Sequence, residues 1–206
     1  NREATVTVEF DSLVDGETLE KDVDYIIDSA TFADANEGEN KAVTATIYLT
    51  ESAKAKNYQL SSDSATTTAN INKKSITPQI TAENKDYDGN REATVTVEFD
   101  SLVDGETLEK DVDYTIDSAT FDNANAGENK TVTVIFTSLN NTPKAKNYQL
   151  SSDSATATVN INKKSITPQI TAENKDYDGN REATVTVEFD SLVDGETLEK
   201  DVDYII

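Results

Sequence analysis

Residues 93–100 read "ATVTVEFD", and this stretch decides the fold because apolar and polar residues alternate along it. In an extended chain, successive side chains point to opposite faces. Threonine and glutamate therefore occupy one face, and the other face carries Ala93, Val95, Val97 and Phe99. The pattern predicts a β-strand with one buried face.

The same alternation recurs on both sides of this stretch. It predicts further strands at 76–80, 112–116, 132–136 and 155–161, with a short one at 147–150. Only "GETLEKDVDY" at 105–114 leaves room for one helical turn. Glycine can supply a positive φ in the intervening turns, which we place at Asp88-Gly89-Asn90, Asp104-Gly105-Glu106 and Ala126-Gly127-Glu128. About six short strands in 90 residues predict an all-β, antiparallel β-sandwich.

The chain repeats itself. The run "NREATVTVEFDSLVDGETLEKDVDY" begins at Asn1, Asn90 and Asn180, so its starts lie 89 and then 90 residues apart. A period of this length is the size of one small domain. We assign the extra residue of the second copy to a loop, where "TESAKAKNY" in the first copy faces "SLNNTPKAKNY" in the second.

We predict three divisions of the chain from this period. Residues 1–74 form a first repeat lacking its first strand, 75–164 a complete second repeat, and 165–206 the N-terminal half of a third. Half a repeat can hardly bury enough apolar surface to fold alone. We therefore expect the chain to be a segment of a longer tandem array, in which neighbouring repeats are partners.

The composition is strongly acidic. Forty acidic residues against eighteen basic ones give a formal net charge of -22. This argues against nucleic acid as a partner and against electrostatic binding to anionic membranes, because both require basic surface. The chain contains no Cys and no His. Disulfides, thiolate nucleophiles and cysteine–histidine metal sites are therefore excluded, and we expect a non-catalytic protein without membrane insertion.

Four motifs in order carry a family resemblance: "KDYDGN" at 85–90, "LEKDVDYTI" at 108–116, "NANAGENKTVTV" at 123–134 and "KNYQL" at 146–150. The segment 75–164 thereby resembles the YDG/MBG-type repeats and, more loosely, the immunoglobulin-like repeats of bacterial cell-surface proteins. The resemblance implies tandem Ig-like sandwiches in an elongated rod, with a β-grasp-like variant as the alternative topology. It also implies an extracellular location on the bacterial cell wall, and it carries over no catalytic residue.

We expect a structural stalk or spacer that projects an adhesive head from the cell wall. The alternative is a repeat that itself binds a host protein or glycan weakly and multivalently. The two copies differ most at 33–55 and 122–145, and loops that vary on a constant scaffold often serve recognition.

The segment "DYDGN" echoes part of a calcium-binding EF-hand loop, but no glutamate follows at the twelfth position. We favour a structural turn. Asp88 initiates it, Gly89 adopts the unusual φ, and the ring of Tyr87 packs under the adjoining strand end.

A second calcium candidate lies in the acidic segment that follows. Crowded carboxylates can supply the oxygen ligands that calcium needs. The candidates are Asp100, Asp104, Glu106, Asp111 and Asp113. The competing interpretation is a solvated charged face, with Asp111 and Asp113 pointing outward from a strand. No other cofactor is expected.

Lysines allow two further hypotheses. An internal lysine–asparagine crosslink could use Lys85, Lys130, Asn129 or Asn147, but no lysine is expected on an apolar strand face, so we favour solvated lysines. Other lysines crowd the junction between repeats, which has no glycine or serine-rich spacer. We expect the acidic loop of one repeat to contact this junction.

Overall fold

The structure, a computed structural model, describes residues 1–206. It is all-β, with two single-turn 3-10 helices at Ala55–Asn57 and Ala145–Asn147. No helix is long and apolar enough to cross a membrane. The strands are β1 (Tyr25–Phe32), β2 (Gly38–Leu49), β3 (Ser64–Ile71), β4 (Lys74–Ala82), β5 (Lys85–Asp86), β6 (Val95–Asp100), β7 (Tyr114–Phe121), β8 (Gly127–Leu139), β9 (Tyr148–Leu150), β10 (Ser154–Asn162), β11 (Thr167–Ala172) and β12 (Val185–Asp190).

The chain divides into two compact units. Unit 1 comprises Asn1–Ser75 and Asn141–Gln149, and unit 2 comprises Ile76–Asn140 and Leu150–Ile206. The predicted boundaries at 74 and 164 were drawn from the sequence period and remain a prediction.

Unit 1 is built on one antiparallel sheet with strand order β1-β2-β3. Its buried apolar side chains include Tyr25, Val43 and Ile47. The ring of Phe10 packs edge-on against Tyr25, with ring centroids 5.0 Å apart. These contacts place the core of unit 1 on one face of the sheet.

Unit 2 has a four-stranded sheet of order β5-β10-β8-β7 and the antiparallel pairs β4–β6 and β11–β12. Buried Tyr114, Val134 and Phe136 of the four-stranded sheet pack against apolar residues of β4 and β6, among them Ile80, Val97 and Phe99. A second cluster consists of Phe121, Val132 and Ile161. Two sheets that enclose a shared apolar core are consistent with the predicted β-sandwich.

Strand pairing decides which copies of one sequence become strands. The run "VTVEFD" is a strand at 95–100, where it pairs with β4, and at 185–190, where it pairs with β11. At 6–11 the same letters form no strand. A strand needs a neighbour for its backbone hydrogen bonds, and the structure pairs residues 6–11 with no other strand.

The position predicted for the extra residue of the second copy is wrong. It lies within a strand, because β8 has 13 residues whereas β2 has 12. Tyr25 pairs with Leu49, and Tyr114 pairs with Leu139 after a second register shift near Ile116. A β-bulge accommodates one extra residue while the remaining pairs keep their register.

Two local expectations also need correction. Val112 precedes β7 and is exposed, so it does not share the buried face of Tyr114. The single helical turn allowed for 105–114 does occur, because the Asp113 N–H donates to the Glu109 carbonyl at 2.7 Å. The positive φ expected at Gly127 occurs instead at Asn129, which has a φ of 52° near the start of β8.

Candidate functional site

The Tyr-Asp-Gly turn at 87–89 is held by a lysine. The Lys85 ammonium lies 2.7 Å from the Asp88 carboxylate and donates to the carbonyl oxygens of Asn90 and Glu92, each at 3.1 Å. It also donates to the Asn90 side-chain oxygen at 2.8 Å. Gly89 has a φ of 80°, as predicted. One ammonium group thus ties together both ends of the turn.

Charge and apolar surface both stabilise this arrangement. The hydrogen bond from Lys85 holds the pKa of Asp88 below its usual value, with the Asn90 N–H acting in the same direction. The Lys85 ammonium also lies 5.6 Å from the ring centroid of Phe121, within the range of a cation–π interaction. Asp88 accepts from the Asn90 N–H at 3.1 Å, which is the geometry expected of a residue that starts the turn.

Tyr87 packs as predicted and also makes a contact that the sequence analysis missed. Its ring is half-buried against Phe121, Val132 and Ile161. Its hydroxyl donates to the carboxylate of Glu196, which lies 109 positions along the chain. This hydrogen bond raises the pKa of Tyr87 above its usual value, and loss of water and nearby Asp88 add to the effect. No local sequence signal links these two residues.

A matching tyrosine–glutamate contact exists in unit 1. The Tyr58 hydroxyl donates to Glu17 and accepts from the Val14 N–H at 3.1 Å. The Glu17 N–H donates to the Val14 carbonyl at 2.9 Å, and Gly16 has a φ of 80°. The turn "VDGE" therefore presents its glutamate to a tyrosine hydroxyl both at 14–17 and at 193–196.

The five calcium candidates lie on different local elements. Asp100 ends β6, Asp104 and Glu106 belong to the "VDGE" turn, and Asp111 adopts a φ of 63° in the turn before β7. Asp113 points inward and is 4% exposed, so its predicted outward orientation is wrong. No group of three or more acidic side chains is placed to hold a metal ion. Calcium binding remains a prediction.

Asp113 belongs to a backbone-binding position that the sequence analysis did not identify. Its carboxylate accepts from the Glu109 N–H at 3.0 Å, and the corresponding Asp24 accepts from the Glu20 N–H at 3.0 Å. Asp24 also accepts from the Ser52 hydroxyl at 2.7 Å. These bonds, with Ser52 contributing most, lower the pKa of Asp24. The spacing "E-K-D-V-D" is a sequence signal for this position, because an aspartate side chain can accept a hydrogen bond from a backbone N–H a few residues away.

The expectation of solvated lysines is wrong for Lys130, which is 8% exposed. Its ammonium donates to the Asn123 side-chain oxygen and lies 3.3 Å from the Asp122 carboxylate. Although loss of water raises the pKa of Asp122, the Asn123 N–H and Lys130 together keep it below its usual value. Lys130 is buried because its charge is paired. In unit 1, Lys41 makes the equivalent contact with Asp34 at 2.6 Å.

Of the other residues considered for a lysine–asparagine crosslink, Lys85 binds Asn90, and the side-chain amide of Asn147 donates to the Pro143 carbonyl at 3.2 Å. The Asn129 N–H donates to the Asn160 side chain at 2.9 Å. The asparagine that Lys130 contacts is therefore Asn123, which is not among the predicted crosslink residues.

Comparison with protein families places a YDG domain at residues 72–157. No curated protein and no solved structure matches the chain significantly. The match covers β4 to β9, with the Lys85-centred turn, and the beginning of β10. The resemblance to the YDG family expected from the four motifs is thus supported for this segment.

Proposed function

We propose that the protein is a non-catalytic spacer, a tandem array of Ig-like β-sandwich repeats in the stalk of a bacterial surface protein. Its partners are then neighbouring repeats of the same chain, and its place is outside the cell, attached to the wall. Neither nucleic acid nor a membrane is a partner in this proposal.

The observation that carries the proposal is the shared register of two hairpins. In the first, Phe32 pairs with Val43 and Ala30 with Ala45. In the second, the residues 89 positions later make the same pairs, Phe121 with Val132 and Ala119 with Val134. Two copies that form the same hairpin suit a role in which the protein provides length, because each added copy extends the array by one repeat.

A binding role is the second candidate, and one observation favours it. The copies differ along β2 and β8, and some of the differing positions there expose large apolar side chains. Tyr48 is 45% exposed and Ile135 is 37% exposed, whereas the corresponding residues are Thr137 and Thr46. Exposed apolar side chains that change between copies can form weak sites, which gain strength through multivalency.

A binding assay distinguishes the two roles. Immobilised glycans and extracellular-matrix proteins would be probed with the 206-residue chain up to roughly 100 µM, a range that covers micromolar affinities. A spacer gives no saturable binding at any ligand. Saturable binding that is lost when Tyr48 is changed to Thr would favour the binding role and reject the spacer. Glu51→Gln, which alters an exposed charge in the segment that follows β2, is the matched control.

A further inference from the structure

In unit 2, the Tyr-Asp-Gly turn at 87–89 contacts residues of the copy that follows it in sequence. Tyr87 donates its hydroxyl proton to Glu196, and a methyl group added at Gly89 would lie 3.0 Å from Cγ1 of Val193. Val193 and Glu196 are the first and last residues of the third "VDGE" turn. The turn therefore lies directly on the Tyr-Asp-Gly turn of the preceding copy.

Acidic, basic and apolar side chains all lie around this contact. A shallow cleft beside Tyr87 is lined by apolar Leu192 and Val193, by Asn125 and Ala126 of the loop before β8, and by Lys163 and Lys164. Glu196 lines the same cleft. An acidic turn, two lysines and an apolar floor thus meet at one place. The acidic turn and the lysine-rich junction therefore line the same cleft, and the predicted contact between them stays a prediction.

A second contact between successive copies occurs within unit 1, and it uses the corresponding loop. The Glu37 N–H donates to the side-chain oxygen of Asn147 at 2.9 Å, and the Asn147 amide lies 3.4 Å from the side-chain oxygen of Asn36. Asn36 and Glu37 correspond to Asn125 and Ala126, which line the cleft in unit 2. In both units the loop before the long strand faces the following copy.

We propose that this end of each copy is a docking surface whose partner is the next copy of the same chain. The surface consists of the tyrosine and glycine of the Tyr-Asp-Gly turn and the loop that precedes the long strand. The complementary surface is the third "VDGE" turn, which presents Val193 and Glu196. In the first copy the glutamate of this turn, Glu17, binds Tyr58 of its own copy. The proposal deepens the proposed spacer function by naming the contact that fixes one repeat to the next.

Tyr177 serves as an internal reference. It occupies the position of Tyr87 in the third copy and is 98% exposed, whereas the ring of Tyr87 is half-buried. Lys175 and Asp178 still form the turn beside it, with a distance of 2.9 Å between their charged groups. The turn itself therefore forms without docking. The ring of Tyr87 packs against Phe121, Val132 and Ile161 of its own copy, so the sign of docking is the hydrogen bond of its hydroxyl to Glu196.

Spin-label distance measurement on the full chain tests the proposal. The chain has no cysteine, so Thr156→Cys in β10 and Thr186→Cys in β12, both at exposed positions, accept nitroxide labels specifically. The docked arrangement gives one narrow distance distribution. Tyr87→Phe removes a hydrogen bond to a charged group at a partly exposed site, which raises the undocked fraction by roughly three- to tenfold. Glu196→Gln should likewise raise the undocked fraction.

Two matched variants serve as controls. Tyr177→Phe changes the Tyr-Asp-Gly motif of the third copy, where the tyrosine is exposed. Glu17→Gln changes the "VDGE" turn of the first copy, where the glutamate binds Tyr58. Both leave the distance distribution unchanged. A distribution that is already broad in the unsubstituted chain overturns the proposal, and so does a Tyr87→Phe distribution identical to the starting one. A narrow distribution together with saturable glycan binding would reject the spacer function while retaining the docking surface.

Discussion

Lys85 and Asp88 are three positions apart, and their charged groups lie 2.7 Å from each other across the Tyr-Asp-Gly turn. The same ammonium reaches two backbone carbonyls that follow the turn. This relationship explains why a lysine stands two residues before the tyrosine in both copies. The lysine closes the turn, and the closed turn places Tyr87 against the apolar cluster of Phe121, Val132 and Ile161.

Replacing this lysine gives the first prediction. Lys85→Met keeps the apolar stem and removes the ammonium group, so the turn loses several charge-assisted hydrogen bonds. We expect the free energy of unfolding to fall by about 1–2 kcal/mol. Urea denaturation followed by circular dichroism measures the change. Lys175→Met is the matched control and should cost less, because the Lys175 side chain is 40% exposed and that of Lys85 only 18%. Equal losses would contradict the account.

The glycine of the turn gives a second prediction. Gly89 and Gly179 both have a φ of 80°, but an added methyl group meets Val193 only at Gly89. Gly179→Ala therefore measures the backbone cost alone, which is about 1 kcal/mol. Gly89→Ala should cost more and should also shift Val193 methyl resonances in NMR spectra. If the two alanine variants lose the same stability and the resonances do not move, Val193 does not pack on Gly89.

Acid stability gives a third prediction. The pKa values of Asp24, Asp34, Asp88 and Asp178 are lowered, chiefly by hydrogen bonds from Ser52, Lys41, Lys85 and Lys175, respectively. A carboxyl group with a lowered pKa stabilises the fold above its usual value of 3.8 and loses that contribution as the pH falls through the folded pKa. The free energy of unfolding should therefore be nearly constant above about pH 5 and decrease below about pH 4.

The control for this pH dependence is Ser52→Ala, which removes the largest contribution to the lowered pKa of Asp24. Its stability should fall more at neutral pH than in acid, where Asp24 is protonated in both chains. The loss that remains in acid comes from the hydrogen bond that the Ala55 N–H donates to the Ser52 hydroxyl. Denaturation curves that stay parallel across the whole range would show that the hydrogen bond does not depend on the charge of Asp24.

Alkaline conditions give a fourth prediction, which concerns the docking surface. Glu196 raises the pKa of the Tyr87 hydroxyl, with Asp88 adding to the effect. A raised pKa stabilises the contact below the usual value of 10.0, and that stabilisation is lost as the pH rises through the folded value. At pH 8 the spin-label distribution of the unsubstituted chain should be narrower than that of Tyr87→Phe. Above the raised pKa this advantage should disappear, because the Tyr87 phenolate and the Glu196 carboxylate repel each other. A difference that persists at high pH would show that the hydroxyl proton is not involved.

The sequence predicted the strands better than it predicted their surroundings. Alternation at 93–99, 132–136 and 155–161 correctly indicated β6, β8 and β10, because apolar periodicity reports directly on a buried face. It could not locate the extra residue of the second copy, since a bulge leaves the apolar pattern on either side intact. It also could not show that "VTVEFD" lacks a pairing partner at 6–11.

The candidate sites were harder to predict for a different reason. Asp113 and Lys130 are buried charged residues, and composition alone assigns such residues to the surface. Their burial depends on a backbone N–H and on neighbouring polar side chains. The partner of Tyr87 lies 109 positions away, and no spacing rule connects them. Contacts of this kind follow from the assembled fold.

Small-angle X-ray scattering of the 206-residue chain, recorded with calcium and then with a chelator, tests the spacer proposal most directly. A compact globule of this length would have a radius of gyration near ~17 Å. Repeats docked end to end, built from strands that rise ~3.3 Å per residue, should form a rod on the order of 100 Å long with a radius near ~30 Å. The account predicts the larger radius, with the same value in chelator. A radius near that of the globule would contradict it.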